Sequence, residues 1–343
     1  MTRRYCCGVA HGCGVGRVGG MFAVTATSFS SDDPLSGLTL GDMPDTVVPE
    51  GWVRVHPRAA SLNHHDLWSL KGVGLRPEQL PMILGGDAAG VLDDGTPVIV
   101  HEVIGDPAAG GGDETLDPKR SLLSEKHPGT LAETVAVPAY NIVAKPDDLT
   151  FEEAACLPTA WLTAYRMLVT KSGLRVGDTV LVQGAGGGVA TAAIQLASVL
   201  GYRVWATSRD EAKRARAVEL GAAEAFEPGA RLPERVDAVI ETVGEATWSH
   251  SLKSLRPGGV LVVSGATSGP NPPADLARVF FLQLSVVGST MGTKAELESL
   301  VALLVDTGVR PTIDHVYDLR DARAAFEKLA SGDVVGKIVL TNA

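Results

Sequence analysis

The run Asp178-Thr179-Val180-Leu181-Val182-Gln183, followed without a break by Gly184-Ala185-Gly186-Gly187-Gly188-Val189-Ala190, constrains this chain more than any other feature in it. An apolar strand that meets a glycine turn and then a helical pattern, Ala190 to Leu200, opens a parallel βαβ unit. Glycine lets the backbone turn sharply and leaves room for a ligand against it. The helix behind supplies free N–H groups and the positive end of its dipole. The turn suits the pyrophosphate of a dinucleotide, with Gly184, Ala185, Gly186, Gly187, Gly188 and Val189 as its cradle.

The alternation continues downstream. Strands are expected over Tyr202–Thr207, Val236–Thr242, Gly259–Ser264 and Leu284–Gly288, with a charged helix Asp210–Leu220 stopped by Gly221. Residues 147–288 thus form an α/β unit, a doubly wound parallel sheet of the Rossmann kind. Ahead of it, from residue 21 to 146, short apolar runs such as Trp52–Val55, Pro97–Val100 and Leu131–Val137 alternate with Gly and Pro, which predicts a β-rich domain. A long polar loop, Gly105 to Lys126, interrupts it. After residue 288 come a helix with apolar positions Leu297, Leu300, Val301 and Leu304, a second helix Asp321–Leu329, and a strand Lys337–Leu340.

The strand ending at Thr207 delivers the next residues to the adenosine ribose, where an acid would select NAD. Here they are Ser208 and Arg209, a hydroxyl and a guanidinium suited to a 2′-phosphate, with Lys213 one helical turn on. NADP(H) is the expected cofactor. Gly265 and Thr267 follow the strand Gly259–Ser264 at the carboxyl edge of the sheet, where ligands bind.

The rest of the chain narrows the class of partner. A net charge of -10 over 343 residues argues against a nucleic-acid surface, and no apolar run reaches 18 residues, so a small-molecule substrate is expected and a membrane span is not. Three of the four cysteines lie in the first 13 residues, which leaves no disulfide framework and fits a reducing cytoplasm. Residues 1–20 hold six glycines, three arginines and no acid, and read as a disordered extension or a misassigned start upstream of Met21. Cys6, Cys7, His11 and Cys13 within them match no paired zinc spacing.

Several further segments, in order, carry a resemblance: Asn63-His64-His65-Asp66, Gly85-Gly86-Asp87-Ala88-Ala89-Gly90, Leu162-Thr163-Ala164-Tyr165, the glycine turn, Glu241-Thr242-Val243-Gly244, Gly288-Ser289-Thr290 and Gly336-Lys337-Ile338-Val339-Leu340. From Met21 to Leu340 the chain resembles the medium-chain dehydrogenases/reductases, in their zinc-independent, quinone-oxidoreductase-like branch. The resemblance implies a GroES-like catalytic domain made of residues 21–146 and 289–343, with the cofactor domain inserted between, a homodimer, and a Thr163 hydroxyl near the nicotinamide ribose or amide. It places the catalytic zinc ligands of the metal-dependent relatives at Asn63, Gly86 and Thr159, with Asp87 beside them. An amide, a glycine and a hydroxyl are poor zinc donors, and Gly105 to Lys126 has no cysteine for a structural zinc, so no metal is expected.

Without a Lewis acid, a conjugated acceptor is the favourable substrate, because it spreads the incoming charge onto a distant oxygen. The expectation is hydride transfer from NADPH to a quinone or an α,β-unsaturated carbonyl compound. The rivals are an enoyl-thioester reductase, a zinc-type alcohol dehydrogenase with atypical ligands, and a non-catalytic NADPH-binding sensor. Asn63 is the candidate polar contact to the substrate oxygen, His65 the candidate proton relay, and Asp66 the residue that orients them, or else a carboxylate holding helix-start N–H groups. Cys156 and Tyr165 lie in an apolar helical stretch and read as core, while the Phe280-Phe281-Leu282 cluster fits either a pocket wall or the core.

Overall fold

A computed structural model describes residues 20–342, so the extension expected for residues 1–20 lies outside them but for Gly20. The parallel sheet is where the glycine turn requires it. Its strands run, from one edge to the other, Glu224–Phe226, Arg203–Thr207, Thr179–Val182, Val236–Glu241, Leu255–Val263 and Ser285–Gly288. All neighbouring pairs are parallel. The order of connection reverses at Thr179–Val182, so the crevice beyond its carboxyl end is a topological switch point. Val180, Leu181 and Val182 are fully buried, as a strand covered on both faces must be.

The β-rich part is a seven-stranded sheet built from both ends of the chain. Trp52–Ser61 is central, pairing antiparallel with Asp87–Leu92 on one side and with Lys337–Thr341 on the other, where Val339 faces Ser61 and Leu340 faces Ala60. The expected strand over Leu131–Val137 is shorter, Val135–Pro138. Residues 130–132 instead turn back on 84–85, with the Thr130 and Leu131 amides donating to Gly85 and Leu84 carbonyls.

Between the two sheets, residues 151–171 form one helical stretch that alternates α and π turns, with the π turns at Leu157–Trp161 and Met167–Lys171. Pro158 removes one amide donor there, and the wider turn projects Thr159 toward the β-rich domain. Helix Lys294–Thr307, expected with the tail of the catalytic domain, buries Leu297, Leu300, Val301 and Leu304 in the same apolar core as Leu162, Ala193 and Leu196. That core also takes in Ala59, Ala89 and Ile99 of the other sheet, so the seam between the two parts is packed. Among the described residues, no helix is long and apolar enough to cross a membrane.

Candidate active site

The cradle is shaped as the sequence implies. Gly184 has φ +74° and Gly186 φ +136°, conformations that other residues rarely adopt, and Gly187 precedes helix Gly188–Val199. The first amides of that helix have no intrahelical acceptor. A side chain on Gly187 would meet no protein atom within 4 Å, so this is open space above the helix start, fit for a pyrophosphate.

At the far side of the cradle, Asp210 turns its carboxylate onto its own helix, where Oδ1 accepts the Lys213 amide at 3.1 Å. That use leaves no acid aimed at a ribose. Arg209 is exposed and has no ion pair among the described residues, and Ser208 is buried beside it. Lys213 lays its aliphatic stem across the cradle, its Cδ 2.8 Å from a Cβ built on Gly186, and its Nζ donates to the Gly332 carbonyl. A residue not singled out from sequence, Arg214, holds the Ser208–Arg209 turn by donating to both of their carbonyls.

A cleft of about 550 Å³ opens along the carboxyl edge of the parallel sheet. Val263, Ser264, Gly265 and Ala266 form one wall and Trp68 and Leu116 face them, with Arg120, Arg166 and Lys171 bringing positive charge. Arg166 is spent on Asp113 and Glu296, and so ties the long loop to the helices. Arg120 and Lys171 form no ion pair among the described residues. Thr267 does not line this cleft; it is exposed, and its hydroxyl turns to the Thr242 carbonyl. Thr163 is buried in the helical wall, four residues beyond Thr159.

The three catalytic candidates are each held by protein partners. Asp66 is fully buried and spends both oxygens on backbone amides, Oδ2 on Asn63 at 2.8 Å and Oδ1 on Gly85 at 3.0 Å. It fastens the helix start to the neighbouring turn and does not face the cleft. Asn63 is likewise committed, its Nδ2 donating to Asp87 Oδ2 at 2.8 Å and its Oδ1 accepting from Lys337 Nζ at 2.6 Å. It organises a cluster, with one of its two amide N–H donors spent on Asp87 and its oxygen on Lys337. His65 donates from Nε2 to Glu125 Oε1 at 2.8 Å. Burial favours its neutral form, but that bond and the charges of Glu102, Asp66 and Glu125 raise its pKa to about 9. A group held cationic in this way is a poor relay at neutral pH. Cys156 is a core residue as expected and Tyr165, partly buried, packs against that core; burial pushes the Cys156 thiol up to about 12. Phe280 and Phe281 belong to neither wall nor core, being 72% and 80% exposed.

The cluster itself joins residues far apart in sequence. Asp87 Oδ2 accepts from Ser61 at 2.7 Å and from Asn63, and faces Lys337 Nζ at 3.3 Å. Lys337 also donates to the Leu62 carbonyl, and its stem passes 2.8 Å from a Cβ built on Gly188, against the cradle. Thr159 Oγ1 lies 2.5 Å from Asp87 Oδ1 and 2.6 Å from Glu102 Oε2. Glu102 fills the space left by the absent side chain of Gly86, where any Cβ would collide with its carboxylate. Burial, with the charges of Asp87 and Asp66 adding to it, pushes Glu102 up to about 7, against the pull of His65 and of the Thr159 hydrogen bond.

These donors do not fit a zinc ion. The cluster offers an amide oxygen already bound to an ammonium, a hydroxyl, a carboxylate neutralised by Lys337 and the Glu102 carboxyl, whose charged form burial disfavours, with no thiolate or imidazole. Among the described residues, no group of three or more His, Cys, Asp and Glu side chains is placed to hold a metal.

Comparison with known proteins agrees with this architecture. Residues 49–147 match the alcohol dehydrogenase GroES-like domain and residues 188–306 the zinc-binding dehydrogenase domain. A zinc-type alcohol dehydrogenase-like protein of Schizosaccharomyces pombe is 30% identical, over 87% of this chain and 93% of its own length. The crystal structure of an NAD-dependent alcohol dehydrogenase superimposes with a TM-score of 0.87 at 34% identity, covering 94% of this chain and all of that one. The 2-octenoyl-CoA carboxylase reductase CinF, solved with NADP and 2-octenoyl-CoA, gives 0.86 at 26% identity, covering 94% and 87%. The chain is also 33% identical to the polyketide synthase system protein NorB of Streptomyces orinoci over 89% of its own length, and there it spans 14% of the relative. An inserted parallel-sheet domain, a β-rich domain closed by the last strand, and these matches make the chain a member of the medium-chain dehydrogenase/reductase family.

Proposed function

We propose that this protein is an NADPH-dependent reductase that adds hydride to the β carbon of an α,β-unsaturated carbonyl compound, with an enoyl thioester as the substrate class. The observation that carries the reading is the Asn63–Asp87–Thr159–Glu102–Lys337 cluster beside the cradle, which is made of hydroxyl, amide, carboxyl and ammonium groups. Such a cluster supplies protons and hydrogen bonds and offers no Lewis acid to polarise a simple alcohol or carbonyl. A conjugated acceptor is the substrate that needs least beyond this. NADPH supplies the hydride when bound, and Arg209, which has no ion pair among the described residues, would take its 2′-phosphate together with the Ser208 hydroxyl.

Two observations favour a thioester over a quinone. Arg120 and Lys171, which form no ion pair among the described residues, suit the phosphates of a carrier arm. CinF, which shares the fold over 94% of this chain, was solved with such a thioester and with NADP. The test is NADPH oxidation against a panel of 2-enoyl-CoA esters, enones and quinones, and NADP+ reduction with primary alcohols, with metal content measured on the same sample. Fastest turnover of the enoyl esters by a zinc-poor protein is expected. Alcohol oxidation that tracks bound zinc overturns the reading.

The reductase is further proposed to be a homodimer. Strand Ser285–Gly288 is a sheet edge with no outer partner among the described residues, and Val286 on it is 47% exposed. The helix before it exposes Leu276, Phe280 and Phe281 together, an apolar surface suited to a second copy of the chain.

A further inference from the structure

The Thr159 hydroxyl has one proton to donate, yet two carboxyl oxygens lie within 2.6 Å of its Oγ1. Asp87 and Glu102 are both buried, so two ionised carboxylates here would leave one of them lone pair against lone pair, without water to relieve it. The contacts are satisfied when one carboxyl is itself an acid, donating to Oγ1 while the hydroxyl donates to the other.

Asp87 is the ionised member. Its Oδ2 meets the Lys337 ammonium and accepts from Ser61 and Asn63, all of them partners for a carboxylate. Among the described residues, the Glu102 carboxyl has one hydrogen-bond partner, Thr159. The chain of donation therefore runs from Glu102 to Thr159 to Asp87. Thr159 is the partly exposed end of it. Its neighbour Ala160 has its Cβ 3.4 Å from a Cβ built on Gly188, which sets the hydroxyl beside the cofactor cradle.

We propose that Glu102 is a resident acid whose proton passes through the Thr159 hydroxyl to the product of hydride transfer. This rests on the reductase reading above. Once the substrate has gained hydride at its β carbon, its C=C electron pair has moved to the carbonyl oxygen and the resulting enolate needs one proton. The Thr159 hydroxyl turns from Asp87 Oδ1 to the substrate, its O–H bond breaks as a C–H bond forms at the α carbon, and the Glu102 O–H bond breaks as Thr159 regains its proton. Glu102 ends as a carboxylate and takes a proton from water before the next turnover. The substrate has gained two electrons and two hydrogens, and NADPH has lost two electrons. Thr159 is the catalytic residue; Glu102 acts through it.

The groups facing Glu102 set when it is charged. His65 and Asp66 face it from helix His64–Leu70 and Asp87 from the adjoining strand, with Lys337 behind Asp87 on the last strand. With burial these hold it at about 7, so the acid form prevails below that pH.

The experiment compares the wild type with Glu102→Gln, Thr159→Val and Thr159→Ser, using crotonyl-CoA and NADPH across the pH range. Wild-type kcat should fall about tenfold per pH unit once Glu102 has ionised. Glu102→Gln should lower kcat by at least about 100-fold and remove that fall, with NADPH affinity and KM within about threefold. Thr159→Val should match it, and Thr159→Ser should recover most of the rate. A Glu102→Gln variant with wild-type kcat and pH profile overturns the proposal. An infrared difference spectrum between wild type and Glu102→Gln tests it without turnover. The carbonyl band of an un-ionised carboxyl should be present at about pH 6 and gone at about pH 8.5, and its absence at the lower pH overturns the proposal. A protein that shows the band but reduces no enoyl ester or enone retains the resident acid and loses the reductase reading.

Discussion

Gly86 gives the cluster its sharpest test. Its backbone is of a kind that any residue adopts, since it is not among the glycines with positive φ, so Ala would ordinarily be neutral or stabilising there by about 0.4–1 kcal/mol. In this protein the new methyl lands on the Glu102 carboxylate. The carboxyl must retreat by roughly 1 Å to reach van der Waals distance, which stretches its 2.6 Å bond to Thr159 beyond hydrogen-bonding range. Loss of that bond with the carboxyl still buried costs about 1–3 kcal/mol. Glu102→Ala removes the obstacle, so Gly86→Ala in that background should cost nothing. Urea unfolding of the wild type, the two single variants and the double variant gives the coupling, expected at about 1–3 kcal/mol. Additive effects within about 0.5 kcal/mol would show that Glu102 does not occupy the space over Gly86.

Arg209→Ala should weaken NADPH by about 10- to 100-fold, as loss of a charge-assisted bond implies, and leave NADH nearly unchanged; fluorescence titration with both cofactors decides it. Gly187→Val should abolish cofactor binding with little change in the unfolding midpoint, because its side chain enters open space; normal NADPH affinity would misplace the cradle. His65, raised from 6.5 to about 9, contributes stability that is complete below pH 6.5 and lost as pH rises through about 9. Wild type and His65→Phe should thus differ most at low pH, by up to about 3 kcal/mol, and converge above about pH 9.5. Phe280→Asp with Phe281→Asp should give a monomer by light scattering without loss of fold.

What could be read from the chain was what is local. The strand, glycine turn and helix lie within about 23 consecutive residues, and each follows from its own composition. The Ser208–Arg209 pair is legible for the same reason. Glu102 was not, because it stands in sequence as a polar residue two positions after the buried strand Pro97–Val100. Its role depends on the side chain missing at Gly86 and on Thr159, 57 residues away. An ionisable residue ending an apolar run was the only signal. Asp66 had two readings in sequence, an orienting carboxylate or one that holds helix-start N–H groups, and its two backbone partners select the second. Phe280 and Phe281 were undecidable in sequence, since apolar residues fill cores and interfaces alike.

The ion pair between Asp87 and Lys337 spans 250 residues of chain. Until Lys337–Thr341 docks against Trp52–Ser61, Asp87 has no countercharge and the Ala59–Ser61 end of the central strand lacks its partner on that side, where Val135–Pro138 covers only Trp52–Val55. Everything in between must therefore be out of the ribosome before the first half can be completed. During synthesis the parallel-sheet domain is whole while the other waits half-made, and a chaperone arriving at that stage would meet an uncovered strand carrying an unpaired acid.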